Sequence, residues 1–170
     1  SNAVLKAMNR KYTVEDFMFL VKELRSENPD LTIETDVIVG FPTEKETDFY
    51  STLQLLVKVK PDVTNVSQYH HRPGTPASKL RQLPSQIVKE RSRIASSLVR
   101  ELSLHRNLRM IGFEGSVTLT EIGKTGEKIG RTPNYKIVVV KKSRDTPLGE
   151  KVYVKVVDAA ATHLLGIPYT

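Results

Sequence analysis

The sequence predicts an α/β region followed by a small antiparallel β-barrel, and two observations carry that reading. Up to about residue 106, apolar residues recur at helical spacing around two short strand-like runs. Beyond it the hydrophobic period changes from about 3.6 to about 2 and turn-forming residues punctuate the chain.

The elements follow in order. Ser1, Asn2 and Ala3 resemble the remnant of a cleaved tag, so residues 1–3 are set aside and the native stretch is taken from Val4. Thr13 and Asp16 have the spacing of a capping box, and Val14, Phe17, Met18, Val21 and Leu24 repeat at helical spacing until Asn28 and Pro29. A helix over 14–28 is expected. Residues 31–41, LTIETDVIVGF, alternate and then run apolar, as a strand covered on both faces of a parallel sheet does. Thr43 with Glu46 is a second capping-box candidate, and Phe49, Leu53, Leu56 and Val57 share a helical face before Pro61. Residues 63–69, VTNVSQY, read as a strand. Strand, helix and strand so close together make a right-handed crossover with parallel strands.

After the turn-rich HHRPGTPAS, a long amphipathic helix is expected from Ser85 to Leu108. Its apolar stripe is read as Ile87, Ile94, Leu98 and Leu102, with Lys89, Arg91, Arg93, Arg100 and Arg106 on the solvated faces. Then FEGSVTLTEI, YKIVVVKK and EKVYVKVV read as strands separated by the turns KTGEKIG and SRDTPLG. Two parallel strands with three helices leave sheet edges open, which marks the α/β part as truncated.

Composition bounds the function. The chain has 170 residues, 39% hydrophobic and 26% charged, an ordinary globular mixture with no long apolar run or secretory signal. The expected compartment is cytoplasmic and no membrane partner is expected. There is no cysteine, so thiolate catalysis, disulfides and cysteine-held clusters are outside this chain's own chemistry. The net charge of +7 favours a polyanionic partner, and residues 107–170 hold ten basic against six acidic residues.

Three segments, VLKAMNRKYT, TDVIVGFPTEKETDF and QYHHRPGTPASKL, resemble successive signatures of the radical S-adenosylmethionine methylthiotransferase family. The tail, GSVTLTEIGKTGEKIGRTPNYKIVVVKK closed by LGEKVYVKVVDAAATHLLG, resembles the RNA-binding TRAM domain that ends those enzymes. The resemblance implies that residues 4–106 are the C-terminal part of a radical-SAM partial β/α barrel and 107–170 an OB-like TRAM barrel. It implies an intact enzyme that uses S-adenosylmethionine and two 4Fe-4S clusters to place a methylthio group at C2 of N6-threonylcarbamoyladenosine beside the tRNA anticodon. The cluster cysteines fall in segments outside this chain. The fragment is therefore expected to be inactive alone, with no catalytic or metal-binding residues and no cofactor bound. Its implied partners are the tRNA anticodon stem-loop and the N-terminal half of the same protein. A non-catalytic RNA-binding module, a family member acting on a ribosomal protein and a protein-interaction adaptor are the competing readings.

Candidate cofactor residues follow from strand ends, outside which open α/β sheets bind ligands. Val39, Gly40 and Phe41 close the first strand, and Gly40 leaves room for a ligand, although all three also suit core packing. Tyr69, His70, Arg72 and Gly74 end the second, offering a ring for adenine and a guanidinium for a carboxylate. Asn9 and Arg10 lie at the rim that the resemblance implies. Adjacent His70 and His71 point to opposite sides of a strand and make no metal set. For RNA, Arg131, Thr132, Asn134 and Tyr135 combine a phosphate donor, hydroxyl, amide and aromatic ring, with Lys124, Lys141 and Lys142 nearby. The competing structural role is a well-made turn with Tyr135 in the barrel core.

Overall fold

A computed structural model describes residues 1–141 and 145–169. The chain folds as two compact units, Ser1–Val99 and Arg100–Thr170, and the division falls inside one helix.

The first unit is built on two strands, β1 (Glu34–Val39) and β2 (Val63–Gln68), paired in parallel with Val39 opposite Gln68. Helices α1 (Asn2–Ala7), α2 (Val14–Glu27) and α3 (Glu46–Val59) and the start of α4 (Ser85–Leu108) complete it. The α2 start is the expected capping box: Thr13 Oγ1 accepts the Asp16 N–H at 3.1 Å, and Asp16 accepts the Thr13 N–H at 2.8 Å. The Thr13 N–H, together with the Thr13 hydroxyl that also donates to Asp16 Oδ2 at 2.8 Å, holds the Asp16 carboxyl below its ordinary range. At α3 the expected Thr43–Glu46 box is replaced. The helix begins two residues later in register, with Asp48 accepting the Lys45 N–H at 2.9 Å. The reason is that Phe41–Glu44 forms a turn of its own, closed by Glu44 N–H to Phe41 O at 2.8 Å.

Two apolar clusters hold this unit: Val21, Ile33 and Val59 packed by Phe17 and Leu55, and Val39, Phe49 and Ala95 packed by Val37 and Val66. Where α2 ends, Arg25 donates to Val59 O and Lys60 O, while buried Asp62 accepts the Ile33 N–H at 3.0 Å. The α4 stripe differs from expectation. Ile87 and Ile94 are exposed, and the buried face is Val88, Arg91 and Ala95. Arg91 enters the interior because Glu44 meets it there, Nη1 to Oε2 at 2.5 Å, with Phe49 beneath its guanidinium at 5.4 Å.

The second unit is a closed barrel of β3 (Glu114–Ile122), β4 (Lys128–Arg131), β5 (Ile137–Val140), β7 (Leu164–Pro168) and β6 (Lys151–Ala159), in that spatial order. Five strands stand where the sequence showed three. β4 lies inside the segment read as a turn, because a four-residue strand containing Gly130 carries too few apolar positions to alternate visibly. Four pairings are antiparallel as expected, and β5 with β7 is parallel, Val139 opposite Leu165. That parallel pair closes the barrel and removes its open edges. Register shifts at Leu119/Glu121 and Val156/Asp158 supply local bending.

The barrel interior is Val117, Leu119, Val138, Val140, Val154, Val156 and Leu164. The inside–outside alternation along β3 and β6 follows the period-2 pattern of the sequence. Gly130 is required at the β3–β4 crossing: a Cβ there would lie 2.4 Å from Val117 Cγ1 and 2.5 Å from the Thr118 carbonyl oxygen. Gly130→Ala is expected to cost about 1–3 kcal/mol through forced backbone displacement. A thermal melt monitored on barrel amides checks it, and an unchanged midpoint would show that the strands part freely. The end of α4 is tied in by Asn107, whose amide donates to Ala160 O at 2.8 Å and accepts from the buried Lys136 ammonium at 2.9 Å. Among the described residues no helix is long and apolar enough to cross a membrane.

Candidate nucleic-acid interface

The turn after β4 sets the candidate site. Thr132 N–H donates to Lys136 O at 3.0 Å, and Tyr135 N–H donates to Thr132 O at 2.9 Å. The Thr132 hydroxyl accepts the Lys136 N–H at 2.9 Å and donates to Asn134 Oδ1 at 2.5 Å. Thr132 is buried, so it and Asn134 build the turn. The result is a left-handed Tyr135, φ 68°, whose ring stands 72% exposed outside the barrel. A non-glycine residue held in that region marks a place where surrounding bonds over-determine the backbone.

Arg131 lies at the β4 end with its guanidinium 5.8 Å from the Tyr135 ring centroid. A cation beside an exposed ring is an arrangement that can hold a phosphate and stack a base together. Of the sequence-predicted set, Arg131 and Tyr135 are brought together on the surface, whereas Thr132 and Asn134 shape the turn. Lys124, in the β3–β4 turn, and Lys141, after β5, are exposed. Lys142 lies outside the described residues.

Strand register adds residues that the sequence reading missed. Arg131 stands opposite Thr118 on β3, and Thr118 opposite Lys151 on β6. On β6, Lys151, Tyr153 and Lys155 alternate with the inward valines, so all three share the outer face. KVYVKVV carried that signal, but only the pairing shows that this face continues the Arg131 row. Lys155 donates to Glu114 at 2.8 Å, and this carboxylate raises its ammonium pKa above the ordinary value. The raised value keeps Lys155 charged, and the pairing intact, until strongly alkaline pH.

In the first unit, Val39 and Phe41 are buried. Gly40 adopts φ +80°, and a Cβ there would lie 2.7 Å from Val88, so its missing side chain is used by helix packing. Gly40 N–H donates to Glu44 Oε2 at 2.8 Å. Tyr69 meets this strand end, its N–H donating to Val39 O at 2.8 Å and its ring edge-on to Phe41 at 5.3 Å. Among the described residues the buried Tyr69 hydroxyl has no hydrogen-bond partner. His70, His71, Arg72 and Gly74 are exposed on the following loop. Asn9 is exposed at φ 58°, and Arg10 lines a cavity of about 140 Å³ beside β1 with Val4, Tyr12, Asp36 and Ile38. Among the described residues no three His, Asp or Glu side chains come together as a metal set.

Residues 108–168 match the sequence model of the TRAM domain. The chain carries a TRAM domain. Its closed five-stranded barrel is that domain, and Arg131, Tyr135, Lys151 and Tyr153 stand on the TRAM surface. Over 165 residues, 97% of its length, the chain is 39% identical to the "Probable threonylcarbamoyladenosine tRNA methylthiotransferase" of Archaeoglobus fulgidus. It is 42% identical over the same share to the protein of that name from Pyrococcus horikoshii. It is 36% identical over 168 residues to the "tRNA-2-methylthio-N(6)-dimethylallyladenosine synthase" of Orientia tsutsugamushi. The chain spans 38%, 38% and 37% of those relatives' lengths. Along almost its whole length it is thus similar to a part of proteins named for tRNA methylthiolation.

Proposed function

We propose that this chain is the C-terminal part of an enzyme that methylthiolates N6-threonylcarbamoyladenosine beside the tRNA anticodon in the cytoplasm, its TRAM barrel gripping the anticodon stem-loop. The observation that carries the RNA reading is the Arg131–Tyr135 pair, a guanidinium 5.8 Å from an exposed ring on a barrel unit rich in cations. The identities of 38–42% to relatives named for threonylcarbamoyladenosine, against 34–36% to those named for dimethylallyladenosine, favour the first substrate.

The residues present fit an organic cofactor and not iron-sulfur clusters. The chain has no cysteine, so clusters would be held by the N-terminal half of the same protein. Tyr69, at the carboxyl end of β2, has a buried hydroxyl without a hydrogen-bond partner among the described residues, and His70, Arg72 and Gly74 follow it on an exposed loop. These would meet S-adenosylmethionine, with Val39, Gly40 and Phe41 backing them and Asn9 and Arg10 at the rim. The cofactor, when bound in the intact enzyme, supplies the radical and the methyl group. This chain's residues bind and orient.

Binding of the chain to an anticodon stem-loop, titrated against salt, tests the RNA reading. Affinity is expected to fall steeply with salt, and Arg131→Ala to weaken binding and lower the log–log slope by about one. Undetectable binding at low salt, or an unchanged Arg131→Ala titration, would move RNA recognition away from this surface.

A further inference from the structure

The outer face of β3, β6 and β7 carries a second aromatic site that the Arg131–Tyr135 turn does not include. Tyr153 is 56% exposed and Tyr169 44% exposed. They are neighbours across the strands, since Tyr169 N–H donates to Tyr153 O at 2.9 Å. On its other side Tyr153 faces Ser116 of β3, a side chain too short to cover its ring. Lys155 is 5.7 Å from the Tyr169 ring centroid while bonded to Glu114, so Lys155 is committed to orienting that ring and its charge is neutralised locally. The cations left for a phosphate are in the adjoining row, where Arg131, Thr118 and Lys151 lie side by side on β4, β3 and β6. Two strand spacings, roughly 10 Å, separate Arg131 from Lys151, and one two-residue step of about 7 Å separates Lys151 from Tyr153.

We propose that Tyr153 and Tyr169 form a base-stacking platform for unpaired nucleotides of the bound RNA, with Lys151 holding the phosphate that links this platform to the Arg131–Tyr135 turn. The proposal rests on the reading of the barrel as an RNA grip and deepens it. The occupant is single-stranded RNA, not duplex: exposed rings receive the face of an unstacked base, and a paired helix offers only its backbone and groove edges. Two tyrosines beside Lys151 and Arg131, with the Glu114 carboxylate paired to Lys155, complement a strand of bases and phosphates. The interface then spans a few nucleotides across four strands, so register, and not the turn alone, sets which nucleotides are held.

The test uses the full chain with a single-stranded RNA carrying 2-aminopurine and with the same sequence as a duplex. Tyr153→Leu is expected to weaken single-strand binding roughly tenfold and duplex binding little, while Tyr153→Phe, which keeps the ring, stays close to the parent. Lys151→Ala is expected to reduce the salt slope by about one. Because Tyr153→Leu removes a ring from a barrel strand, a variant that preserves packing is read alongside it. Tyr153→Trp fluorescence is expected to be quenched by the single strand, and Tyr50→Trp, on the exposed side of α3, is not. Parent binding that Arg131→Ala weakens but Tyr153→Leu leaves unchanged, or an unquenched Tyr153→Trp, overturns the platform and leaves the RNA grip standing. Equal loss for duplex and single strand overturns stacking as the mode of contact. No binding by the parent at low salt overturns both readings.

Discussion

Glu44→Ala is expected to destabilise the first unit by about 3–5 kcal/mol, the range for removing one partner of a buried ion pair. Glu44 is buried, and its Oε2 accepts both the Gly40 N–H at 2.8 Å and Arg91 Nη1 at 2.5 Å. Among the described residues, alanine leaves the interior guanidinium the backbone carbonyl of position 44, 3.1 Å away, and the Phe49 ring. It also frees the β1 end, where Val39 and Phe41 meet Tyr69. Glu44→Gln keeps an acceptor and is expected to lose less. The double change Glu44→Leu with Arg91→Met, which removes both charges, is expected to recover most of the loss. Amide hydrogen exchange of β1 and β2, compared with the barrel strands, reads the effect without assuming that the two units melt together. A Glu44→Ala cost under about 1 kcal/mol would show that water reaches Arg91 and that the pair is not truly interior.

Leu164→Ala is expected to cost the barrel about 2–5 kcal/mol. Leu164 is fully buried on β7 among Val117, Leu119, Val138, Val140, Val154 and Val156. Its strand is the one that joins β5 in parallel and β6 in antiparallel pairing, so a cavity there weakens closure as well as packing. Leu164→Met, of similar volume, is expected to stay within about 1.5 kcal/mol. RNA affinity at a temperature below the melt is expected to be retained in Leu164→Met. Denaturant unfolding followed on the barrel amides checks the stability difference, and a Leu164→Ala loss near zero would mean the interior collapses to fill the space.

Much of the fold was legible because local signals agreed with one another. α2, predicted over 14–28, runs Val14–Glu27, since Thr13 and Asp16 cap it and Asn28 and Pro29 stop it. β1, β2 and α4 fall where strand runs and helical period place them. The misses share a cause. β4 and β7 are short, four and five residues, and are interrupted by Gly130 and Gly166, so neither shows an alternating run of its own. The α3 start moved because the preceding turn bonds within itself. In the candidate interface, residue types at 131–135 were readable as a recognition kit. Which of them face solvent was not: Thr132 is buried and Tyr135 is out, an inversion set by the left-handed backbone at Tyr135.

By itself the sequence determined the order and type of most elements, the cationic balance of the barrel, the absence of cluster cysteines and the resemblance now matched by the TRAM domain. All of these depend on residue identity or on neighbours within a helical turn or a strand. Only the tertiary structure decided which face of α4 is buried, because an arginine is interior there through its pairing with a carboxylate 47 positions away. It also decided that β6 continues the Arg131 row, because register is a property of two strands that meet in space and no single strand encodes its partner.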